Sequence, residues 1–396
     1  MIPQPLDVAT PSSSTLVVLL PGADTQIVGG SARARNLRVA TRAGATVVDL
    51  KEFLAGSATP WKSLIVIPPS VLIDLTLFSV AIPSATTRLE SASGAWILMG
   101  RASDVAGHLE GWQAELDSHG RQGERADVWR ADELPRLPAP TDVIFDTSTA
   151  AARRHALWSI LKRTEKPTDG WVSRHCNRPI SRLISFVLLS LGLRASHASA
   201  LTLIFGLATA IFALRPGYAT LVWTGLLFQL ASVLDGVDGE MARATLTESE
   251  AGAKLDAIVD QLTYVACFVG VTIGWAREGG AGQALFWTAV IAAALVLSLL
   301  RGARFVARHA PDASFVFIDR SVRRAARESN QLPLRLAAGG FALLRRDLFS
   351  VLFLAVSFFG RRALIPALVG VGVVLANVTM SVYRRELDAA AVLERG

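Results

Sequence analysis

Cysteine is nearly absent: Cys176 and Cys267 are the whole complement of 396 residues, and neither sits in a CxxC pair or near other metal-ligand spacing. Neither a disulfide framework nor a zinc site is therefore supported. The chain carries a formal charge of +7, yet it has no solvated basic face. Its arginines gather beside apolar segments, which favours membrane topology and phosphate headgroups and argues against a nucleic-acid partner. No internal repeat is evident. The opening residues lack a basic n-region, and Thr15 to Leu20 is too short for a signal-peptide core or a spanning helix. The first domain is accordingly expected to stay in the cytoplasm.

What is present divides into unlike parts. Residues 1–165 mix apolar and charged residues as a soluble domain does. Strand candidates recur at Ser14–Ala23, Thr46–Leu50, Ser63–Pro68, Ala95–Met99 and Asp142–Asp146, with helical patterns at Gly29–Ala45 and Thr147–Thr164. This alternation predicts an α/β fold. Residues 166–198 read as a linker and interfacial helix, because Trp171–Leu193 combines Arg174, Arg178 and Arg182 with Ile180, Ile184, Phe186 and Leu188.

Residues 199–386 read as an all-α membrane domain, followed by a tail at 387–396. Six spans are predicted, at Ser199–Leu214, Tyr218–Met241, Gly252–Trp275, Gln283–Leu300, Leu348–Gly360 and Leu364–Tyr383. The segment Arg301–Arg346 holds ten arginines, with an amphipathic piece around Ile318–Arg327, whereas the opposite loops hold four. That bias predicts that both termini and the 301–346 segment are cytoplasmic, and a multi-pass protein of a bacterial cytoplasmic membrane is expected.

The chemistry concentrates between the second and third spans. Asp235, Asp238 and Gly239 precede Ala242 and Arg243; eight residues later Gly252 opens a run with Asp256 and Asp260. Carboxylates near apolar helices are expensive and need a partner or a function. Asp235 and Asp238 are i,i+3 and Asp256 and Asp260 are i,i+4, so each pair shares one helix face. Four converging carboxylates would repel one another unless a divalent cation neutralised them, and Mg²⁺ or Mn²⁺ suits all-oxygen ligands and bridges to a diphosphate. Gly239 and Gly252 remove side chains where helices or substrate approach, and Arg243 can offset phosphate charge.

The pattern D-x2-D-G-x2-A-R-x8-G-x3-D-x3-D, complete between Asp235 and Asp260, resembles the signature of the CDP-alcohol phosphotransferases. The resemblance covers roughly 170–385. It implies an enzyme that displaces CMP from a CDP-linked donor with a hydroxyl acceptor, embedded in the membrane as a homodimer. Carried over, Asp235, Asp238 and Asp256 hold the metal, with Asp260 sharing in a second site and acting as base on the acceptor hydroxyl. Gly239, Ala242, Arg243 and Gly252 lie against the cytidine diphosphate. Where many relatives have T-P-N-x-x-T, this chain has His197-Ala-Ser199-Ala-Leu-Thr202; Thr202 fits and Ser199, whose hydroxyl can donate to phosphate, replaces Asn.

Lys166-Pro-Thr-Asp-Gly-Trp-Val-Ser-Arg and Asn177-Arg-Pro-Ile-Ser-Arg182 resemble the junction in bifunctional inositol-phosphate cytidylyltransferase/di-inositol-phosphate phosphate synthases, where a nucleotidyltransferase-like domain precedes the membrane domain. Here the loop after the first strand, Pro21 to Ser31, lacks Gly-x-Gly-x-Arg, and Leu64 to Ser70 lacks an acidic metal ligand. The first domain is expected to be inactive and to serve stability, assembly or donor capture, residual cytidylyltransferase activity being the alternative. The resemblance implies CDP-diacylglycerol or a CDP-inositol-like compound as the expected donor, and a polyol phosphate or lipid alcohol as the expected acceptor. Arg301, Arg304, Arg345 and Arg346 are candidates for binding a phosphorylated acceptor, or equally for anchoring at the membrane face. A transporter or ion pathway would spread its acids over several helices, and a non-catalytic scaffold would not need the intact motif.

Overall fold

The structure, a computed structural model, describes residues 15–21, 26–27, 30–55, 61–109, 134–166, 169–309, 318, 321–322, 324–325 and 346–393. They form two compact units. One draws on residues 1–164, 182–194 and 239–248, the other on 165–181, 195–238 and 249–396.

The first unit is built on a six-stranded mixed sheet. Strand β1 (Thr15–Leu19) pairs in parallel with β4 (Thr46–Asp49) and β5 (Ser63–Ile67); β8 (Trp96–Arg101) runs antiparallel to β5 and to β7 (Thr87–Glu90), and β9 (Arg136–Pro138) closes the edge beside β7. Two short ladders stand apart: β2 (Gln26–Ile27) with β3 (Gly30–Ser31), and β6 (Val71–Ile73) with β10 (Ile144–Asp146). The apolar runs of β1 and β5 are buried on both faces, as the period of two requires. Val17, Leu19, Ile65 and Ile67 pack with Val39 and Ala40 of helix α1 (Ala32–Arg42). Leu16, Val18, Leu64 and Val66 pack on the other side, with Leu50 and Phe53 of α2 (Leu50–Ala55) and with Val105 and Leu109.

Helix α1 begins at Ser31, whose hydroxyl accepts from the Ala34 amide at 3.0 Å. It is fastened to β6 through Asn36, which donates to the Val71 carbonyl at 2.7 Å and accepts from the Ile73 amide at 3.0 Å. A further helix, α3 (Ala150–Lys162), follows β10.

The strands expected near residues 15, 46, 63, 95 and 142 are all present, whereas β2, β3, β6, β7 and β9 are additional. Each of these five has only two to four residues, too few for a periodic signal.

The second unit is helical. After a π-helical turn at Ser173–Asn177 come α4 (Arg178–Ser190), α5 (Ala195–Ala213), α6 (Tyr218–Thr245), α7 (Glu250–Trp275), α8 (Ala281–His309), α9 (Arg346–Ser357), α10 (Leu364–Val382) and α11 (Arg384–Leu393). Helices α4 and α6 each run across the boundary between the units. Among the described residues, four helical runs are long and apolar enough to cross a membrane: Ala195–Ala213, Tyr218–Thr245, Glu250–Arg308 and Leu364–Val382. The third and fourth expected spans thus share one 59-residue run, in which Gly279, at φ 97, leaves helical geometry. The hydroxyls of Thr272 and Thr288 meet at 3.1 Å; sixteen residues of straight helix would separate them by about 24 Å, so the run doubles back. The fifth expected span is the shorter apolar helix α9, of 12 residues. Residues 384–393, whose greater part was expected as a tail, form α11, with Leu387 and Ala391 buried beside Phe305 and Val306.

Helices α5 and α7 approach closely through small residues. A Cβ added at Gly206 would lie 2.6 Å from the Thr263 hydroxyl, and one at Gly274 would collide with the Ala213 carbonyl. At the Gly274 end the fully buried Arg362 donates to Glu278 at 2.8 Å, to the Ala213 carbonyl at 2.8 Å, to Thr220 at 3.1 Å and to the Arg215 carbonyl. Half of the amphipathic piece Ile318–Arg327 lies outside the described residues, and within the rest Ile318, Val322 and Ala325 are buried in one cluster with Phe305 and Val306.

Candidate active site

Helix α7 starts where Ser249, in extended conformation, accepts from the Gly252 amide at 3.0 Å, with Glu250 in the first turn. That cap fixes the phase of the helix, so Asp256 and Asp260 emerge on one face one turn apart. Asp235 lies on α6, ten residues before its end. An oxygen from each of Asp235, Asp256 and Asp260 lies within 4.8 Å of the others, and all three side chains are half-buried.

Asp238, one turn beyond Asp235, is only 7% exposed. Its Oδ2 accepts from the Ser199 hydroxyl of α5 at 2.7 Å. The serine that departs from the family pattern is thereby bonded to a motif carboxylate. Thr202 is buried and donates to its own helix, at the Ala198 carbonyl, at 3.1 Å.

Three carboxylate oxygens so close fit a hard divalent cation of the Mg²⁺ class, which takes oxygen ligands and leaves positions for a diphosphate.

Asp260 also lines a cavity of about 550 Å³ whose remaining wall is largely apolar, including Tyr264, Phe268, Leu295, Phe349 and Phe353. Phe228 supports it from α6, with ring centroids 5.5 Å from Tyr264 and 5.2 Å from Phe353.

Of the other motif positions, Gly239, Ala242 and Arg243 fall in the first unit and Gly252 in the second. Gly239 lies beside Arg243: a Cβ there would come within 3.0 Å of the guanidinium. Arg243 donates through Nε to the Thr164 carbonyl at 2.9 Å, and Ala242 is half-buried. Glu240 is fully buried and accepts from the Ser185 hydroxyl at 2.9 Å.

Of the acceptor candidates, Arg301 donates to Asn377, to the carbonyl at 3.3 Å and to Oδ1 at 3.0 Å, and Arg304 is exposed. Arg346 begins α9 and Arg345 lies outside the described residues, as do residues 22–25 and 28–29 of the loop after β1.

Sequence reasoning missed two polar anchors. Arg178 makes a two-point bond to Asp169, at 2.8 and 3.0 Å, and stands 3.6 Å from where a Cβ on Gly236 would be. Burial works to raise the Asp169 carboxyl, but the Arg178 bonds and charge and the Lys166 amide and charge outweigh it and hold the group below its usual range. The second anchor is Gln229, which donates to Asn177 at 3.0 Å. The polar residues inside Asn177–Arg182 were the available signal.

Residues 195–358 match the model of the family described as CDP-alcohol phosphatidyltransferase. Curated proteins named bifunctional IPC transferase and DIPP synthase are similar to the chain. That of Thermococcus kodakarensis is 37% identical over 121 residues, 31% of this chain and 26% of that protein. That of Archaeoglobus fulgidus is 35% identical over 133 residues, 33% and 26%. That of Rubrobacter xylanophilus is 39% identical over 106 residues, 27% and 24%. The chain spans about a quarter of the length of the curated relatives it matches.

Proposed function

We propose, from the premise that residues 195–358 form a CDP-alcohol phosphatidyltransferase domain, that the chain moves a substituted phosphate from a CDP-linked donor to a hydroxyl acceptor with release of CMP. The observation that carries this reading is the meeting of Asp235, Asp256 and Asp260 oxygens within 4.8 Å, with Asp260 also lining the apolar cavity.

In this reading Asp235, Asp256 and Asp260 hold Mg²⁺ or Mn²⁺, and Asp238, oriented by Ser199, completes the acidic set. The bound metal supplies charge neutralisation for the diphosphate and the CMP leaving group. Asp260 accepts the proton of the acceptor hydroxyl, which enters from the cavity, as the new phosphoester bond forms and the bond to CMP breaks. Gly239, Ala242, Arg243 and Gly252 contact the donor's cytidine diphosphate. Arg301, Arg304, Arg345 and Arg346 are the cationic candidates for a phosphorylated acceptor.

The cavity is of the size that small-molecule sites have, and its apolar wall favours a lipid-bearing substrate: CDP-diacylglycerol as donor or a lipid alcohol as acceptor. A CDP-inositol donor with an inositol-phosphate acceptor is the reading that the names of the relatives favour. The helical part is read as six crossings in a bacterial cytoplasmic membrane, with the α/β domain and the C-terminus cytoplasmic, assembled as a homodimer. The stripe Ile180, Leu183 and Val187, exposed on α4, supports a helix lying in the membrane interface. The α/β domain is read as a nucleotidyltransferase-like fold without that activity.

The test is CMP release by protein in nanodiscs, from CDP-diacylglycerol and CDP-inositol, against inositol phosphate, glycerol phosphate and lipid alcohols. Mg²⁺ and Mn²⁺ are compared with EDTA, and Asp260→Asn is the control. Release that needs metal and acceptor, and that the variant lacks, is the expected result; no release from any pair, with no metal binding, rejects the reading.

A further inference from the structure

Helix α6 ends with an unusual closure. Thr247 donates its amide to the Ala242 carbonyl at 2.9 Å and Leu246 to the Arg243 carbonyl at 3.2 Å, with Leu246 at φ 55. These are the two bonds of a Schellman motif, built on leucine where glycine is usual. They leave the carbonyls of Ala244 and Thr245. Both are taken by side chains of α1: Arg35 Nε donates to Ala244 at 3.1 Å and Arg38 Nε to Thr245 at 2.8 Å. One turn further along α1, Arg42 pairs with Glu248 at 2.7 Å. Residues 35, 38 and 42 share one helix face, so α1 presents a row of cations to the negative end of α6.

The row is held by the sheet fold. Arg35 is 4% exposed and its other arm donates to the Ile73 carbonyl at 2.6 Å, beside the Asn36 bonds that fasten α1 to β6. Burial lowers the Arg35 guanidinium to about 10, which leaves it charged at neutral pH. The Leu246 side chain packs against the sheet's core cluster. A leucine in left-handed backbone costs of order 1 kcal/mol, and its seat in that core is the compensating contact.

We propose that the α/β fold acts as a clamp on the C-terminal end of the motif helix, with Arg35, Arg38 and Leu246 as positioning residues for the carboxylates on that helix. The clamp reaches Thr245, seven residues or about 10 Å along α6 from Asp238. It fixes the rotation of that end of the helix about its axis, and the continuous helix Tyr218–Thr245 carries the setting to Asp238 and Asp235. The effect on turnover rests on the transferase reading; the mechanical effect does not.

The test uses the full-length protein in nanodiscs with Arg35→Ala, Arg35→Lys, Arg38→Ala and, as control on the opposite face of α1, Arg33→Ala. Three quantities are read: Mn²⁺ affinity by electron paramagnetic resonance, amide exchange at Leu246 and Thr247, and kcat and KM for CMP release. Arg38→Ala is expected to keep the wild-type melting temperature, weaken Mn²⁺ binding about tenfold, speed exchange at both amides, and lower kcat more than it raises donor KM. Arg35→Lys, which keeps a charge but not the fork, recovers part of the Arg35→Ala loss, and Arg33→Ala changes nothing. Wild-type Mn²⁺ affinity and exchange in folded Arg38→Ala would overturn the clamp, and if Arg35→Ala fails to fold, Arg38→Ala alone decides. Should the wild type release no CMP, the transferase reading falls and the affinity and exchange measurements still decide the clamp.

Discussion

Replacing Ser199 by alanine removes one hydroxyl and tests the coupling between α5 and the acidic motif. The Ser199 to Asp238 bond is 2.7 Å long, between a hydroxyl and a carboxylate only 7% exposed. Such charge-assisted bonds contribute about 1.5–3 kcal/mol, and at roughly 1.4 kcal/mol per factor of ten the loss corresponds to roughly 10- to 150-fold. If Asp238 serves the metal and the diphosphate in the transition state, the loss falls on kcat/KM for CMP release and on the Mg²⁺ concentration giving half-maximal rate. Ser199→Thr keeps the hydroxyl and should stay within about threefold of wild type by the same scale. Initial rates over a Mg²⁺ series, with melting temperatures to confirm folding, give the answer. A Ser199→Ala protein within twofold of wild type in both parameters, or Ser199→Thr as impaired as Ser199→Ala, would refute the coupling.

Other outcomes follow from the same contacts. Asp256→Asn and Asp260→Asn should each weaken Mn²⁺ binding by an order of magnitude or more, as expected when a hard cation loses a charged ligand; unchanged affinity in either would remove that residue from the metal set. Gly274→Ala should destabilise the protein by about 1–3 kcal/mol, because its Cβ meets the Ala213 carbonyl, whereas Gly282→Ala, with nothing within 4 Å, should be neutral or gain up to about 1 kcal/mol; thermal unfolding in detergent separates them. For Asp169 the folded-state value lies below the ordinary 3.8. Its pairing therefore contributes fully above the unfolded value and is lost as pH falls through the folded one. Asp169→Asn should lose about 2–4 kcal/mol at pH 7, because the buried Arg178 loses its two-point carboxylate partner, with the gap to wild type narrowing below about pH 4; a gap constant with pH would contradict the assignment.

The sequence made the acidic motif legible because its spacing is covalent: four carboxylates on two helices joined by a short loop leave few arrangements. Asp235, Asp256 and Asp260 do meet. The particular partner of Asp238 was not legible, since it depends on the phase of α5 against α6. The long strands β1 and β5 announced themselves through apolar runs buried on both faces, while β6, β7 and β9 are too short to carry a period. The arginines of α1 were visible as a basic helix, but their target, the carbonyls at the end of α6 some 200 residues later, is backbone and has no side-chain signature.

Arg362 has a mechanical consequence. It draws the ends of α5 and α7 and the start of α6 onto one guanidinium, through Ala213, Glu278 and Thr220. Thr220 and Asp235 are fifteen residues apart on α6, about 22 Å along the axis. With one end of the helical group riveted by a fully buried cation, the spacing there changes only if charged hydrogen bonds break. Arg362 therefore holds the mutual spacing of these three helices at the end of the group remote from the acidic cluster.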